Sequence, residues 1–478
     1  MNFICLFFFK KKQFFYILNF IYNLYYLKKY INNESKINYY SEKIIYNVDN
    51  IGVFAIKFIQ WFLDRLKTIY PEKNYELIYE KFSKYYENCN IHDFEYTKTK
   101  YFKSFDSNIL DDFEIDKEPL ASGSIGQVYK GFFKNKFDDQ NNKIKVAIKV
   151  IHPNIDLELL VPKIMLKSFN YLKKKFYFLK NYKIILNIDD FFNNLEQQIN
   201  FLNEARNLKI YSKMYEKNKL IVIPKLYKES KDILVMSFEE GKFFDQEDLS
   251  IYQKYKIVSL FNLFIRDQLY TKDFSHCDLH NGNWKIRRSS DFKNIYQLII
   301  YDFGLCQKNE NQDLLCQLES HIQSENIDKW IDCFFSYNEL ERDKKIVDKF
   351  KKNQKKNISN KKYFNQLNDT IKFVIENGFI LKNSMFYIAM LLNITALHVE
   401  KYGSKPTQLN KYENKNKNYF FIADLITICK TYDCFPEYCK KLEELFNKNV
   451  KDYNIFEQGE NFKNIYIDSD SDIETDTE

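Results

Sequence analysis

The chain has 478 residues with 72 basic and 65 acidic side chains, a formal net charge of +7, and its length calls for more than one structural unit. Apolar residues make up 45%, which argues against global disorder, and 10 Gly with 7 Pro exclude collagen-like, Gly/Pro-linker and most many-turned all-β architectures. Aromatic residues reach 18% and Lys outnumbers Arg 66 to 6, which A/T-rich coding explains; with lysines interleaved with acids and no Arg-rich stripe, no nucleic acid is expected as a partner.

Residues 1–50 are aromatic and basic, with no acid before Glu34. Neither Phe3–Phe9 nor Gln13–Leu27 reaches the roughly 20 apolar residues of a membrane span. A secretory signal would put its basic residues first, and a mitochondrial presequence would be Arg-rich, a preference that coding bias hides. Two readings stay open here: a helix packed on the domain, or an aromatic, lysine-flanked segment in a membrane interface. Residues 51–112 read as a helical extension. Val53, Ile56, Ile59, Phe62, Leu66 and Ile69 recur at helical spacing until Pro71, and a second helix is expected over about 75–88.

Composition then changes. Residues 113–241 read as a small β-rich lobe: strand, glycine turn, strand, polar hairpin, and the β-branched strand Ile144–Ile151. Within it 157–217 read as helical, and Leu220–Val222 and Ile233–Phe238 as short strands parted by a polar turn. Residues 242–460 read as a helical lobe, holding a buried strand at 295–301. Residues 461–478 end in six acids among eleven residues and are expected to be disordered. Ser469, Ser471, Thr475 and Thr477 there suit an acid-directed kinase, or simply solvate the tail. The order suggests a bilobal α+β enzyme. Nine scattered cysteines, an odd number, do not form a disulfide framework and point to an intracellular, reducing compartment. The even spacing of Cys429, Cys434 and Cys439 is not a zinc pattern, so buried thiols are expected.

Four segments carry chemistry. Ala121, Ser122, Gly123, Ser124, Gly126 and Val128 form a small-residue loop of the shape G-x-G-x-x-G-x-V, with Ala121 at the first glycine, in which backbone N–H groups can approach phosphate. Ala147 and Lys149 lie in Val-Ala-Ile-Lys on a buried strand, where an ammonium must find a partner. His276-x-Asp278-x-x-x-x-Asn283 matches a kinase catalytic loop, in which Asp278 would orient or deprotonate a hydroxyl. Asp302-Phe303-Gly304 follows a strand; Asp302 and Asn283 offer the oxygen ligands that Mg²⁺ prefers. Met236–Gly241, including Phe238 and Glu239, should be the hinge that holds adenine.

With these motifs the chain resembles the UbiB family of atypical kinases with an aarF/ABC-one domain, over about residues 50–400. HCDLHNGN is close to the family's H-x-D-x-H-P-G-N, with Asn281 for Pro, and ASGSIGQVYKG carries its alanine-for-glycine change. Phe201–Asn207 resembles its E-A-x-N segment. Lys57-Phe58-Ile59-Gln60 resembles K-x-G-Q, and the surrounding residues look most like the F-I-K-x-x-Q-W subgroup. No A-P-E motif follows Asp302. The resemblance implies a bilobal protein-kinase-like fold with an N-terminal helical extension, ATP and Mg²⁺ as cofactors, and a link to ubiquinone and isoprenoid-lipid metabolism. It also implies isoprenoid lipids or lipid-biosynthesis proteins as partners and contact with mitochondrial or other membrane surfaces. It places Lys57 in the pocket, with its helix hindering access of protein substrates. His276 orders the catalytic loop, and His280 serves there by hydrogen bonding or by holding metal or phosphate.

The chain departs from the family where E-x-D, whose Glu pairs with the strand lysine, falls on Gln198-Ile199-Asn200. An amide cannot neutralise Lys149, so Glu204 or Glu196 would have to substitute. This departure, together with Ile59 at the glycine of K-x-G-Q, motivates a second reading, a catalytically weak nucleotide-gated scaffold or lipid-binding module.

Overall fold

A computed structural model describes residues 3–69, 74–82, 85, 89–175 except 139, 188–323 except 293 and 294, 327–357 except 342, 363–402 except 378 and 380, and 425–449. The acidic tail expected to be disordered lies outside the described residues.

Helix α1 (Phe3–Lys29) forms one continuous helix and packs antiparallel on α2 (Glu34–Ile51), which Asn33 caps by accepting from Lys36 N at 3.0 Å. A single left-handed glycine, Gly52 at φ 90°, turns the chain into α3 (Val53–Ile69). The Glu158 carboxylate accepts from Val53 N at 2.8 Å, giving α3 an anionic N-terminal partner. Gln13 of α1 donates to the carbonyls of Glu158 and Ile51, tying three segments together at that corner. Helix α4 (Asn74–Phe82) covers the start of the expected 75–88, of which Tyr85 is also helical and the other residues beyond 82 lie outside the described residues. The extension then supplies α5 (Phe94–Phe105), begun by an Asp93 cap, and α6 (Ile109–Asp112).

The β lobe is an antiparallel sheet ordered β1-β3-β4-β7-β6, built from β1 (Phe113–Ile115), β3 (Gly126–Phe137), β4 (Lys143–Ile151), β6 (Leu226–Glu229) and β7 (Ile233–Ser237), with β2 (Ala121–Ser122) also on β3. Alternation sorts its two faces. Tyr129, Val146, Ile148, Val150, Ile233 and Val235 form a core with Tyr101 of α5, while Val128, Ala147 and Lys149 share the other face. The expected helical stretch 157–217 divides into α7 (Ile155–Glu158), α8 (Leu160–Lys175), α9 (Ile188–Gln198) and α10 (Phe201–Met214). The segment read as a polar turn contains strand β6, because Leu226–Glu229 is too short and half-buried to show a period.

In the helical lobe α11 (Ile251–Tyr270) is central, started by a Ser250/Gln253 capping box and buried through Phe261, Phe264 and Ile265. Beside it β5 (Ile221–Val222), β10 (Tyr296–Ile300) and β9 (Trp284–Arg288) make one small sheet, and β8 (Phe274–His276) with β11 (Cys306–Lys308) another. Further helices include Tyr363–Glu376 and Asn383–Tyr402. Helix α3 touches both of these and also α7 and α9, so it bridges the two lobes. Cys429, Cys434 and Cys439 are buried, and the described cysteines are free thiols.

A Cβ at Gly52 would lie 2.2 Å from Glu158 Oε2 at a φ that L residues rarely adopt. Gly52→Ala is therefore expected to destabilise the chain by roughly 1–3 kcal/mol, read as a lower denaturation midpoint.

Candidate functional site

Lys149 points from β4 into the cleft between the lobes. Its Nζ lies 2.9 Å from both carboxylate oxygens of Glu204 and 3.2 Å from Asp302 Oδ2. Glu204 is 2% exposed, so the lysine is shared between a buried carboxyl group and that of Asp302. Glu196 instead pairs with Lys163 on the surface. Gln198 is not the lysine's partner: it ends α9, whereas Glu204 lies on the following helix, and Asn200 between them caps α10 by accepting from Leu202 N. The E-A-x-N segment therefore supplies the carboxylate that the E-x-D position lacks.

Burial favours the protonated form of Glu204 and outweighs the pull of Lys149, so its carboxyl is pushed up to about 7. Burial also disfavours the Lys149 ammonium, but Asp302 and Glu204 outweigh it and hold the amine above the ordinary range. For Asp302, burial is overridden by Lys149 and then Lys57, which hold it below the usual carboxylate range. Lys57 thus brings a second positive charge from α3 to the same site.

The same face of α10 holds the segment after β10. Asn207 donates to Phe303 O at 2.8 Å, and Phe303 packs 5.0 Å from Tyr211 and 5.4 Å from His276. Glu204, Asn207 and Tyr211 are spaced i, i+3, i+7, one stripe of a helix. Asp302 adopts a left-handed φ of 52° with its Oδ1 accepting from Gly304 N at 3.2 Å, a strained conformation of the kind that collects at functional sites.

The catalytic-loop residues converge because β8 pairs β11, setting His276 opposite Cys306, and because Tyr301 N donates to Asn283 O at 2.9 Å. His276 is fully buried. Its Nδ1 accepts from Asp278 N at 3.2 Å, which leaves Nε2 as the donor to Tyr301 O at 3.0 Å. It is a neutral imidazole by this bonding, and burial lowers its pKa. Asn283 donates Nδ2 to Asp278 O at 2.7 Å, leaving its side-chain oxygen as acceptor. His280 Nδ1 accepts from Gly282 N at 3.1 Å, a hydrogen-bonding place within the loop.

Asp278 and His280 line a cavity of about 50 Å³ with Lys57, Gln60, Trp61, Gln198 and Tyr387, roofed by α3. That volume holds a few waters. Gln60 is fixed by donating to Tyr85 O at 2.7 Å. Among the described residues no group of three or more His, Cys, Asp or Glu could hold a metal ion alone. The Asn283 and Asp302 oxygens nevertheless fit Mg²⁺, which takes few protein ligands and completes its shell with phosphate and water.

At the hinge, Met236 is buried opposite Ala147. Phe238 N donates to Lys145 O. Glu239 pairs with Arg287 at 2.8 Å, and its carbonyl accepts from Tyr301 OH. The small-residue loop closes on itself, Gly123 N donating to Gly126 O at 3.0 Å, with Ser122 and Ser124 buried. Gly126 is required by packing: a Cβ there would sit 2.5 Å from Val150 O.

The sequence does not reveal what clamps this loop. His152 Nε2 lies 2.9 Å from Gly123 O, and its Nδ1 lies 2.9 Å from His92 Nδ1 in the extension. His92 continues to Thr97 and Tyr129, while Gln127 bonds both its N–H and its carbonyl. Asn207, His92 and His152 join the candidate set. Asn207 is hinted at by the E-A-x-N segment, and His152 only by Val150-Ile151-His152-Pro153 after the strand lysine, which resembles the family's V-x-x-P; otherwise His152 reads in sequence as a surface residue.

The chain is similar to several known proteins. A family model described as the ABC1 atypical kinase-like domain matches residues 86–332, more than half of the chain. The chain is 29% identical over 254 residues to Probable serine/threonine-protein kinase abkC of Dictyostelium discoideum, covering 51% of this chain and 35% of that protein. It is 32% identical over 205 residues to AarF domain-containing kinase 1 of Drosophila melanogaster, covering 41% and 36%. It is 26% identical over 203 residues to Protein ACTIVITY OF BC1 COMPLEX KINASE 3, chloroplastic, of Arabidopsis thaliana, covering 41% and 27%. The chain thus spans about a third of the length of these relatives. A solved structure of a Rv3197–erythromycin complex from Mycobacterium tuberculosis aligns with a TM-score of 0.41 at 14% identity, covering 64% of this chain and 82% of that one.

Two outcomes are expected. Asn207→Ala leaves the buried Phe303 carbonyl with only the weak Cys306 thiol donor at 3.5 Å and should cost about 1–2 kcal/mol in denaturant unfolding. His92 is held down to about 4, first by burial and then by His152. The unfolded chain therefore binds a proton that the fold excludes, and stability should fall as pH drops from about 6.5 towards about 4. For a half-exposed ring this amounts to roughly 1–2 kcal/mol. The loss should shrink in His92→Gln when unfolding free energies at the two pH values are compared. Glu204, raised instead, contributes the opposite slope in both proteins and cancels.

Proposed function

Because the chain belongs to the ABC1/AarF (UbiB) family of atypical kinase-like proteins, we propose that it binds ATP with Mg²⁺ between its lobes and transfers the terminal phosphoryl group to water or a small hydroxyl. The observation that carries this reading is the ion-paired cluster of Lys149, Glu204 and Asp302, next to a catalytic loop whose outer face is closed by α3. Lys149 holds phosphate oxygens as its partners loosen, and the loop at 121–128 lies along them. Asp302 and Asn283 would hold the metal ion, whose charge would offset that of the phosphates. Asp278 orients the attacking oxygen and takes its proton, as the bond from the terminal phosphorus to the bridging oxygen breaks and ADP leaves.

The small cavity at Asp278 supports water or a small acceptor over a peptide, since a side chain with its backbone needs far more room. By family, the activity serves ubiquinone or isoprenoid-lipid metabolism. The replacement of E-x-D by amides, with Ile59 in K-x-G-Q, favoured a scaffold; the Glu204 carboxylate beside Lys149 supports the enzyme instead.

Purified full-length protein is expected to release phosphate from ATP only with Mg²⁺, and Asp302→Asn or Asp278→Asn to lower turnover by about 10²-fold or more while the melting temperature stays within a few degrees. ATP binding with no turnover would make the chain a nucleotide-gated scaffold. Turnover undiminished by Asp302→Asn would show that the activity comes from elsewhere.

A further inference from the structure

The back of α10 and the strand β6 enclose an open groove of about 670 Å³. Its floor is apolar: Leu208 and Pro224 are buried, and Leu226 and Tyr227 are half-buried. Its walls carry Lys209, Lys213 and Lys225, all exposed. At 100° per residue, Lys209 and Lys213 lie about 140° and 180° round the helix from Glu204, so the groove is on the side of α10 away from the cleft. Glu216 and Glu229 line it too, and Glu229 pairs with Lys209 at 2.8 Å. Among the described residues Lys213 and Lys225 have no carboxylate partner; the Lys225 ammonium lies 5.8 Å from the centre of the Tyr227 ring. Strand β6 is the edge of its sheet, pairing among the described strands only with β7, and an edge accepts extended chain.

The chain itself carries a segment of matching character. Ile465, Tyr466 and Ile467 are followed by Asp468, Asp470, Asp472, Glu474, Asp476 and Glu478, with no cation after Lys463. The acids occupy every second position, so an extended stretch sets them on one side at intervals of about 6.6 Å. Lys209 and Lys213, one helical turn apart, are separated by about 6 Å along α10. The two spacings match, and the apolar triplet ahead of the acids suits the apolar floor. The segment also has the reach. Phe435 packs 6.3 Å from Tyr215, the residue that caps the end of α10. The helix Pro436–Asn449 starts there and is about 21 Å long. Residues 450–467 can span up to about 60 Å, more than enough to return to Lys213. The helix Lys344–Asn357 is more basic, but its apolar side is buried through Phe350, so it offers a match of charge alone.

We propose that the acidic segment 465–478 docks in this groove of its own chain, its acids on Lys209, Lys213 and Lys225 and its apolar triplet on the floor. Seated there, it braces from behind the helix whose opposite side holds Glu204 against Lys149. The docking is independent of the nucleotide reading, because it uses no residue of the cleft.

The test is hydrogen exchange of the full chain, read by mass spectrometry on the peptide covering 465–478. In the unaltered protein this peptide should exchange about tenfold or more slowly than the same sequence as a free peptide, and the protection should fall as salt is added. Lys213→Glu with Lys225→Glu should remove the protection, and so should Asp470→Lys, Asp472→Lys and Glu474→Lys together. Combining the two sets should restore it, because the charges are then exchanged across the contact. Lys213 and Lys225 are exposed, so thermal unfolding should be unchanged by their replacement; the tail variants give the same reading without touching the groove. The proposal fails if the tail exchanges as the free peptide does, if either set of variants leaves it protected, or if combining them restores nothing. It fails also if the protection disappears on dilution, which marks the groove of a second copy, or is lost with Lys344→Glu and Lys345→Glu, which marks the more basic helix.

Discussion

A lysine ammonium in the cleft is costly to keep charged, and this fold keeps it charged by bringing two carboxylates to it from different parts of the chain. Lys149 sits on a strand, Glu204 on the helix behind it, and Asp302 on the loop at the floor of the cleft. Each is anchored separately, so the ion-paired cluster sets the spacing between sheet, helix and loop. The rest of the site follows from that spacing. Since Glu204 must face Lys149, the same stripe of α10 must face Phe303, and Asn207 and Tyr211 are there to meet it. Phe303 in turn packs on His276, whose neutral ring ties Asp278 of the catalytic segment to Tyr301 before Asp302.

The extension is part of this site rather than an appendage. Its corner at Gly52 and Glu158 aims α3 across both lobes, and α3 delivers Lys57 to the carboxylates and closes the approach to Asp278. Its segment around His92 clamps the small-residue loop through His152. The first of these contacts accounts for how little room remains over the catalytic loop.

Much of this was legible in the chain, for identifiable reasons. The β-branched run at 144–151 forms a strand because its branched side chains suit a pleated surface. The His276–Asn283 and Asp302–Gly304 segments are compact, so their spacing alone reveals the chemistry. Glu204 as lysine partner was harder to see. The break between α9 and α10 falls between Gln198 and Phe201, where an Asn cap restarts the helix and resets which positions face the strand. Motif alignment counts residues along the chain and does not register that reset. The His92–His152 contact joins positions 60 residues apart, beyond any local pattern.

By itself the sequence determined the bilobal α+β plan and the family, and singled out Lys149, Asp278, Asn283 and Asp302 as candidates, because these rest on local periodicity and on short motifs. Only the tertiary structure decided which carboxylate neutralises Lys149, how α3 narrows the approach to Asp278, and which side of α10 lines the groove at β6. Those depend on helix rotation and on contacts between distant segments. A buried charge accepts a partner from wherever the packing brings one within about 3 Å, and nothing in the order of residues says where that will be.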